Sequence, residues 1–106
     1  MDLGGETWRV VRGDEVCGEI TIDGVDMPWV RGSFVAGPGF AGVKPLFDRE
    51  LELLERLDED PEAWEAAYDR VADAVRLVSP RGPVADFLLH VRDGRAWFRW
   101  DDEPLT

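Results

Sequence analysis

The sequence has one cysteine, Cys17, one histidine, His90, and no asparagine or glutamine. A single cysteine excludes an intramolecular disulfide, and one cysteine with one histidine cannot form a structural zinc site. No apolar run approaches the roughly 18 residues that a membrane-spanning helix requires. No basic segment leading into an apolar one marks a signal peptide. We therefore expect no metal, no cofactor and a cytoplasmic location.

Cations are also scarce, with 12 Lys and Arg against 23 Asp and Glu and a formal net charge of −11. Such a surface repels phosphate backbones, so we expect neither nucleic acid nor a membrane as partner. Solubility is the simplest explanation of the acidity. Attraction to a basic protein is the alternative, and it is the one feature that favours an immunity-type inhibitor of a basic toxin.

The 106 residues, 44% of them hydrophobic, predict a single domain over 1–106 with short flexible ends at 1–6 and 102–106. Strands are predicted near 7–12, 15–23, 29–35 and 77–79, and a turn-rich segment covers 36–42. A helical hairpin follows, from about Pro45 or Asp48 to Leu57 and from the N-cap candidate Asp60 onward. This order predicts an α+β fold: a three-stranded meander, a helical hairpin on one sheet face and a C-terminal β-hairpin.

The first hairpin allows two registers. A two-residue turn at Gly13-Asp14 places Trp8 opposite Glu19, whereas a three-residue loop places it on the face of Ile20. We favour the longer loop because it leaves one coherent apolar face.

The C-terminal hairpin is the best-determined element of the sequence. Asp93-Gly94 is typical of a two-residue type I′ turn, and it pairs Leu89 with Phe98 and His90 with Trp97. One face of the hairpin is then apolar and is predicted to lie in the core: Phe87, Leu89, Val91, Ala96, Phe98, Trp100. The opposite face contains Leu88 and the candidate binding residues His90, Arg92, Arg95, Trp97, Arg99.

Tryptophan and arginine are the residue types most enriched at binding hot spots, which makes this second face the candidate site. The competing interpretation is that the chain covers this face itself, or that arginine stems simply pack over Trp97. We predict a non-catalytic, acidic binding module. Its partner would be another protein, or a second copy of the chain meeting this outer face of the hairpin.

The alternative is a small enzyme that uses carboxylates or Cys17. A dyad of Cys17 and His90 is conceivable, but little in the sequence would orient the imidazole. Most carboxylates fall on outer helix faces or in turns, with Glu19 the exception in mid-strand. The acidic residues at 23–26 and 101–103 could hold a hard cation, although turn formation and solvated charge explain them more simply.

Three stretches, 26–34, 40–48 and 96–100, carry a resemblance that extends over nearly the whole chain. They read DMPWVRGSF, FAGVKPLFD and AWFRW. In these stretches the sequence resembles small hypothetical proteins of GC-rich actinobacteria, a family with no known function. The resemblance implies a bacterial cytoplasmic origin and nothing about mechanism.

Overall fold

The computed structural model describes residues 3–101, which form two helices and one seven-stranded antiparallel sheet. This confirms the predicted α+β fold. In chain order the elements are β1 Thr7–Arg12, β2 Glu15–Asp26, β3 Trp29–Ala36, α1 Phe40–Leu54, α2 Pro61–Ala74, β4 Arg76–Ser79, β5 Gly82–Pro83, β6 Asp86–Arg92, β7 Arg95–Asp101. The spatial order is β5-β4-β1-β2-β3-β7-β6. No helix in this part of the chain is long and apolar enough to cross a membrane.

The sheet is strongly curved, and the core fills its concave side. Two strands, β2 and β3, lie between β1 and β7, so a flat sheet would hold Trp8 and Phe98 roughly 14 Å apart. Their ring centroids are 4.9 Å apart. Both side chains are fully buried, together with Val43 and Phe47 of α1 and Val71 of α2. The helices therefore close the concave face.

The C-terminal hairpin has the predicted register. Asp93 and Gly94 have φ angles of 52° and 74°, the positive values that a type I′ turn requires at both central residues. Leu89 pairs with Phe98 and His90 with Trp97. The face predicted for the core is buried at Leu89, Val91, Ala96 and Phe98 and partly buried at Phe87 and Trp100.

In the first hairpin Trp8 lies on the predicted face, but the loop differs from the predicted one. The loop has two residues, because Arg12 pairs with Glu15, so the predicted three-residue loop is wrong. The register shifts at a β-bulge between Val10 and Val11, and Trp8 then pairs with Ile20 as expected. The extra residue of a bulge restores the alternation that the short turn would otherwise invert.

Several boundaries differ from the prediction, among them the end of α1, which was predicted at Leu57 and lies at Leu54. The expected loop after Asp23 is absent: β2 continues to Asp26, with a second irregularity between Ile22 and Gly24. Helix α1 begins at Phe40 and contains Pro45 in its interior, so the turn-rich segment is shorter than expected. Helix α2 begins as predicted, with Pro61 first and the Asp60 side chain accepting a hydrogen bond from the Ala63 N–H at 3.1 Å.

Part of the predicted flexible N-terminal end is held by the sheet. Leu3 is buried, the Gly5 N–H donates to the Ile22 carbonyl at 2.8 Å, and the Ile22 N–H donates to the Glu6 carbonyl at 2.9 Å. Hydrogen bonds from Arg81 and Trp8 hold the pKa of Glu6 below its ordinary value. Residues 1–2 and the predicted tail at 102–106 lie outside the described residues.

Helix α2 closes the free edge of β6. The Tyr68 hydroxyl donates to the Phe87 carbonyl at 3.0 Å and accepts from the Leu89 N–H at 2.8 Å. These two backbone groups point away from β7, where an edge strand would otherwise leave them unpaired. Burial raises the pKa of Tyr68 above its ordinary value.

Candidate functional site

The chain itself covers part of the outer face of the C-terminal hairpin. His90 is buried, at 2% exposure, while Trp97 is partly exposed and the three arginines are exposed. The structure brings His90 and Trp97 together, with ring centroids 5.4 Å apart. The C-terminal part of α1 and the start of α2 reach past the β6 edge and cover this part of the face.

The three arginines of this face, Arg92, Arg95 and Arg99, each contact a different residue. Arg95 donates two hydrogen bonds to Asp23, at 2.6 and 2.8 Å, and these hold the pKa of Asp23 below its ordinary value. Arg92 lies 3.7 Å from Glu55 in an exposed ion pair. The Arg99 guanidinium lies over the Trp29 ring, 5.9 Å from its centroid.

His90 is held by a buried glutamate of α1. Its Nδ1 lies 2.9 and 3.0 Å from the two carboxylate oxygens of Glu50, a residue with no exposed surface. The indole N–H of Trp64 donates to the same carboxylate at 2.8 Å. A carboxylate that accepts from Nδ1–H fixes the imidazole tautomer and ring orientation.

The second ring nitrogen of His90 faces a pocket. Every buried side-chain nitrogen and oxygen in residues 3–101 has a hydrogen-bond partner, whereas Nε2 of His90 makes no hydrogen bond to another residue of that range. Nε2 therefore belongs to the small exposed part of this side chain. With Nδ1–H donating to Glu50, Nε2 of the neutral ring presents a lone pair at the surface.

The pocket encloses about 470 Å³ on the outer side of the sheet. Its sheet side is formed by residues of β2, β3, β6 and β7: Asp26, Trp29, Arg31, Leu88, His90, Trp97. The helices contribute Leu54 and Trp64, and the turn between them contributes Leu57. Apolar and aromatic walls with a few convergent polar groups are typical of small-ligand sites, and the volume falls in their usual range.

Arginines surround this pocket. Arg31, Arg92, Arg95 and Arg99 lie on the part of this sheet face that β3, β6 and β7 form. Arg31 lines the pocket and makes no hydrogen bond or ion pair with a carboxylate within the described range. Carboxylates lie among these arginines, since Asp23 pairs with Arg95, Glu55 pairs with Arg92 and Asp26 lines the pocket.

The other sequence candidates do not join this site. Cys17 is buried in the core cluster, where burial raises its thiol pKa above the ordinary value, and it makes no hydrogen bond to His90. Glu19 is exposed and pairs in register with Arg9. Across 3–101, no group of three or more His, Cys, Asp or Glu side chains could hold a metal ion.

Glu50 is the functional candidate that sequence reasoning missed. A signal was present: Glu50 lies three residues after Phe47 and three before Leu53, inside the apolar stripe of α1. A carboxylate at such a position is buried and requires donors. The donors, Trp64 and His90, lie 14 and 40 residues further along the chain, so only the fold reveals them.

Comparison of the chain with protein-family models, with curated proteins and with solved structures finds no match. The resemblance to actinobacterial proteins therefore stays a prediction, and the case for function rests on the pocket itself.

Proposed function

We propose that this domain binds a small, flat and largely apolar molecule in the pocket beside His90. The observation that carries the proposal is the orientation of His90. Its ring is buried, is held by Glu50 and lines the pocket, and its Nε2 has no hydrogen-bond partner among residues 3–101. The proposal keeps the sequence-based prediction of a binding module and replaces a protein partner with a small ligand.

The cost of burying Glu50 and His90 supports this proposal. Replacing both partners of a buried hydrogen bond with apolar groups of the same shape can be nearly neutral or stabilising, so stability alone does not explain why such a pair occupies the interior. A pair that presents one imidazole nitrogen to an apolar pocket has a direct use in ligand recognition.

The shape of the pocket favours a flat ligand. The Trp29 and His90 rings are stacked, with centroids 5.9 Å apart and an interplanar angle of 30°, and Trp97 lies beside them. Leu54 and Leu57 form part of the opposite wall. Aromatic and leucine side chains offer broad apolar contact surfaces to a ring that enters between them.

Equilibrium dialysis with 4-nitroanisole, a flat neutral aromatic probe, tests the proposal. We expect saturable binding to the wild type, and loss of binding in Leu57→Trp, which fills the mouth of the pocket. Leu57 is 36% exposed, so the change should leave the fold intact. The matched control is Leu46→Trp in a separate groove between the helices. Absence of saturable binding to the wild type, or equal binding by both variants, would contradict the proposal.

An enzyme is the second candidate, and the pair of Glu50 and His90 is the observation that favours it. A histidine oriented by a carboxylate is the usual general base of an active site. The nine residues that line the pocket include no serine, threonine or cysteine. A reaction here would therefore be proton transfer or activation of water. Hydrolysis of 4-nitrophenyl acetate tests this candidate, which requires a rate above buffer that His90→Gln abolishes.

A protein partner or homodimer stays a prediction. The tip of the β2–β3 hairpin beside the pocket exposes apolar side chains, with Val25 at 44% and Met27 at 75% exposure. Trp97 is partly exposed, so it is open to contact from outside. The immunity-type inhibitor rests on the acidic net charge alone.

A further inference from the structure

We infer that the pocket selects a flat weak acid, such as a phenol, and holds it as its anion, with the ligand's proton on Nε2 of His90 and Arg31 as a second cation. This inference rests on the proposed function and names the chemical class of the ligand. Two independent observations carry it: a histidine held by Glu50 whose Nε2 has no hydrogen-bond partner among residues 3–101, and Arg31 in the same pocket, which has no ion-pair partner in that range.

The hydrogen bonding of His90 selects a ligand that carries a proton. With Nδ1–H donating to Glu50, Nε2 of the neutral ring can only accept a hydrogen bond. When the proton moves, the ligand O–H bond breaks, its electron pair stays on the oxygen, and an N–H bond forms at Nε2. The imidazolium so formed lies against the Glu50 carboxylate, 2.9 Å away, which stabilises its charge.

The arginines supply the rest of the complementarity. Arg31 lines the pocket without a hydrogen-bonded carboxylate of its own among residues 3–101. Its neighbour Asp23 is engaged by two hydrogen bonds from Arg95. An anion in the pocket would meet the Arg31 guanidinium, whose fork of N–H donors suits an oxygen anion.

The other ionisable groups around His90 are less suited to accept a proton from the ligand. Tyr68 of α2 lies 6.4 Å from the imidazole, centroid to centroid, but its hydroxyl is already bonded to the backbone of β6 on both sides. Asp26 of β2 lines the pocket, is exposed, and makes no hydrogen bond within the described residues. With three tryptophans nearby, Asp26 could instead favour an organic cation, and the experiment separates the two outcomes.

A matched pair of probes tests the inference on the wild-type protein. 4-Nitrophenol and 4-nitroanisole have nearly the same shape, but only the phenol has a proton to give. In mildly acidic buffer, where free 4-nitrophenol is mostly protonated, we expect the bound phenol to show the visible absorption band of the phenolate. We expect it to bind at least about tenfold more tightly than 4-nitroanisole, as one hydrogen bond between charged groups provides.

Two variants assign the effect to its residues. In His90→Gln, bound 4-nitrophenol should lack the phenolate band and bind about as weakly as 4-nitroanisole. Arg31→Gln should weaken 4-nitrophenol binding about three- to tenfold more than it weakens 4-nitroanisole binding. Arg76→Gln, which removes an exposed charge on β4 away from the pocket, is the control and should change neither.

The outcomes separate this inference from the proposed function. If both probes bind equally and the phenol stays protonated, the weak-acid inference is overturned and the proposed pocket stands. If benzyltrimethylammonium binds more tightly than 4-nitrophenol, Asp26 and the tryptophans select a cation, and the inference is likewise overturned. If no probe binds, the proposed function fails together with the inference.

Discussion

Removal of the Tyr68 hydroxyl should destabilise the edge of the sheet far more than the loss of one oxygen atom suggests. In Tyr68→Phe the ring keeps its place against Trp64, 5.6 Å away between centroids. The Phe87 carbonyl and the Leu89 N–H both lose their partner. An unsatisfied buried polar group costs about 1–3 kcal/mol. The Leu89 N–H is buried and the Phe87 carbonyl is partly buried, so we expect a loss of about 2–4 kcal/mol in the free energy of unfolding.

Urea unfolding followed by tryptophan fluorescence measures this loss, and hydrogen exchange of the Leu89 amide locates it. Tyr68→Leu serves as the comparison, because it removes the ring as well and should cost more. Since burial raises the pKa of Tyr68 above its ordinary value of about 10, its contribution to wild-type stability is present below that pH and is lost as the pH rises further. Tyr68→Phe should lack this alkaline loss. A decrease below about 0.5 kcal/mol, with the Leu89 amide still protected, would refute the argument.

Three further outcomes are expected. Phe98→Ala removes a fully buried ring from the core on the concave side of the sheet and should lower the free energy of unfolding by about 3–5 kcal/mol. A loss below about 1 kcal/mol in denaturant titration would mean that the ring is not packed as described. Arg95 lowers the pKa of Asp23, so the stabilisation from this pair is fully present above the ordinary carboxyl pKa of about 4 and is lost as the pH falls through the lower folded pKa. Arg95→Gln should therefore make stability less dependent on acid pH, measured as acid unfolding by circular dichroism. An acid profile identical to that of the wild type would argue against the pair. Sedimentation of the wild type and Trp97→Ala at micromolar concentration tests the homodimer prediction, which requires a wild-type dimer that the variant dissociates.

Local signals account for the elements that the sequence predicts well. Asp93-Gly94 determines the register of the last hairpin because few dipeptides adopt two successive positive φ angles. Asp60 and Pro61 mark the start of α2 because a side-chain acceptor and a fixed φ both suit a helix N-terminus. Each of these features depends on residues adjacent in the chain, so sequence reasoning reaches it.

The errors arise where tertiary contacts outweigh local preference. A turn is indicated by Gly39, Gly42 and Pro45, yet α1 begins at Phe40. The Phe40 ring packs beside Phe34 and Phe47, with centroid distances of 4.9 and 6.3 Å. Packing of this ring against the core favours a helical start that propensity alone does not. The β-bulge of the first hairpin is also an effect of tertiary packing. Only the burial of Trp8 with Ile20 shows that one residue must stay unpaired between β1 and β2.

The candidate site was predicted in part. The alternation of side chains along the last hairpin predicts that His90 and Trp97 share one face. In the structure their rings are indeed adjacent. The alternation could not place Glu50, Leu57 and Trp64 against them, since these contacts depend on how far the helices extend past the β6 edge. Periodicity assigns a residue to a face of its own element, and it does not say which other element that face meets.

The position of β7 between β3 and β6 constrains how the chain folds as it is made. Val30 of β3 pairs with Phe98 of β7, and β7 is synthesised after every other described strand. Until it emerges from the ribosome, β3 has an open edge, and Trp8 lacks the Phe98 ring that lies against it. Pairing over such a sequence separation carries a high loop-closure entropy and slows folding. The sheet and its core are therefore completed only after β7 has emerged, and a nascent chain that stalls before β7 exposes both an unpaired strand and an unfilled core.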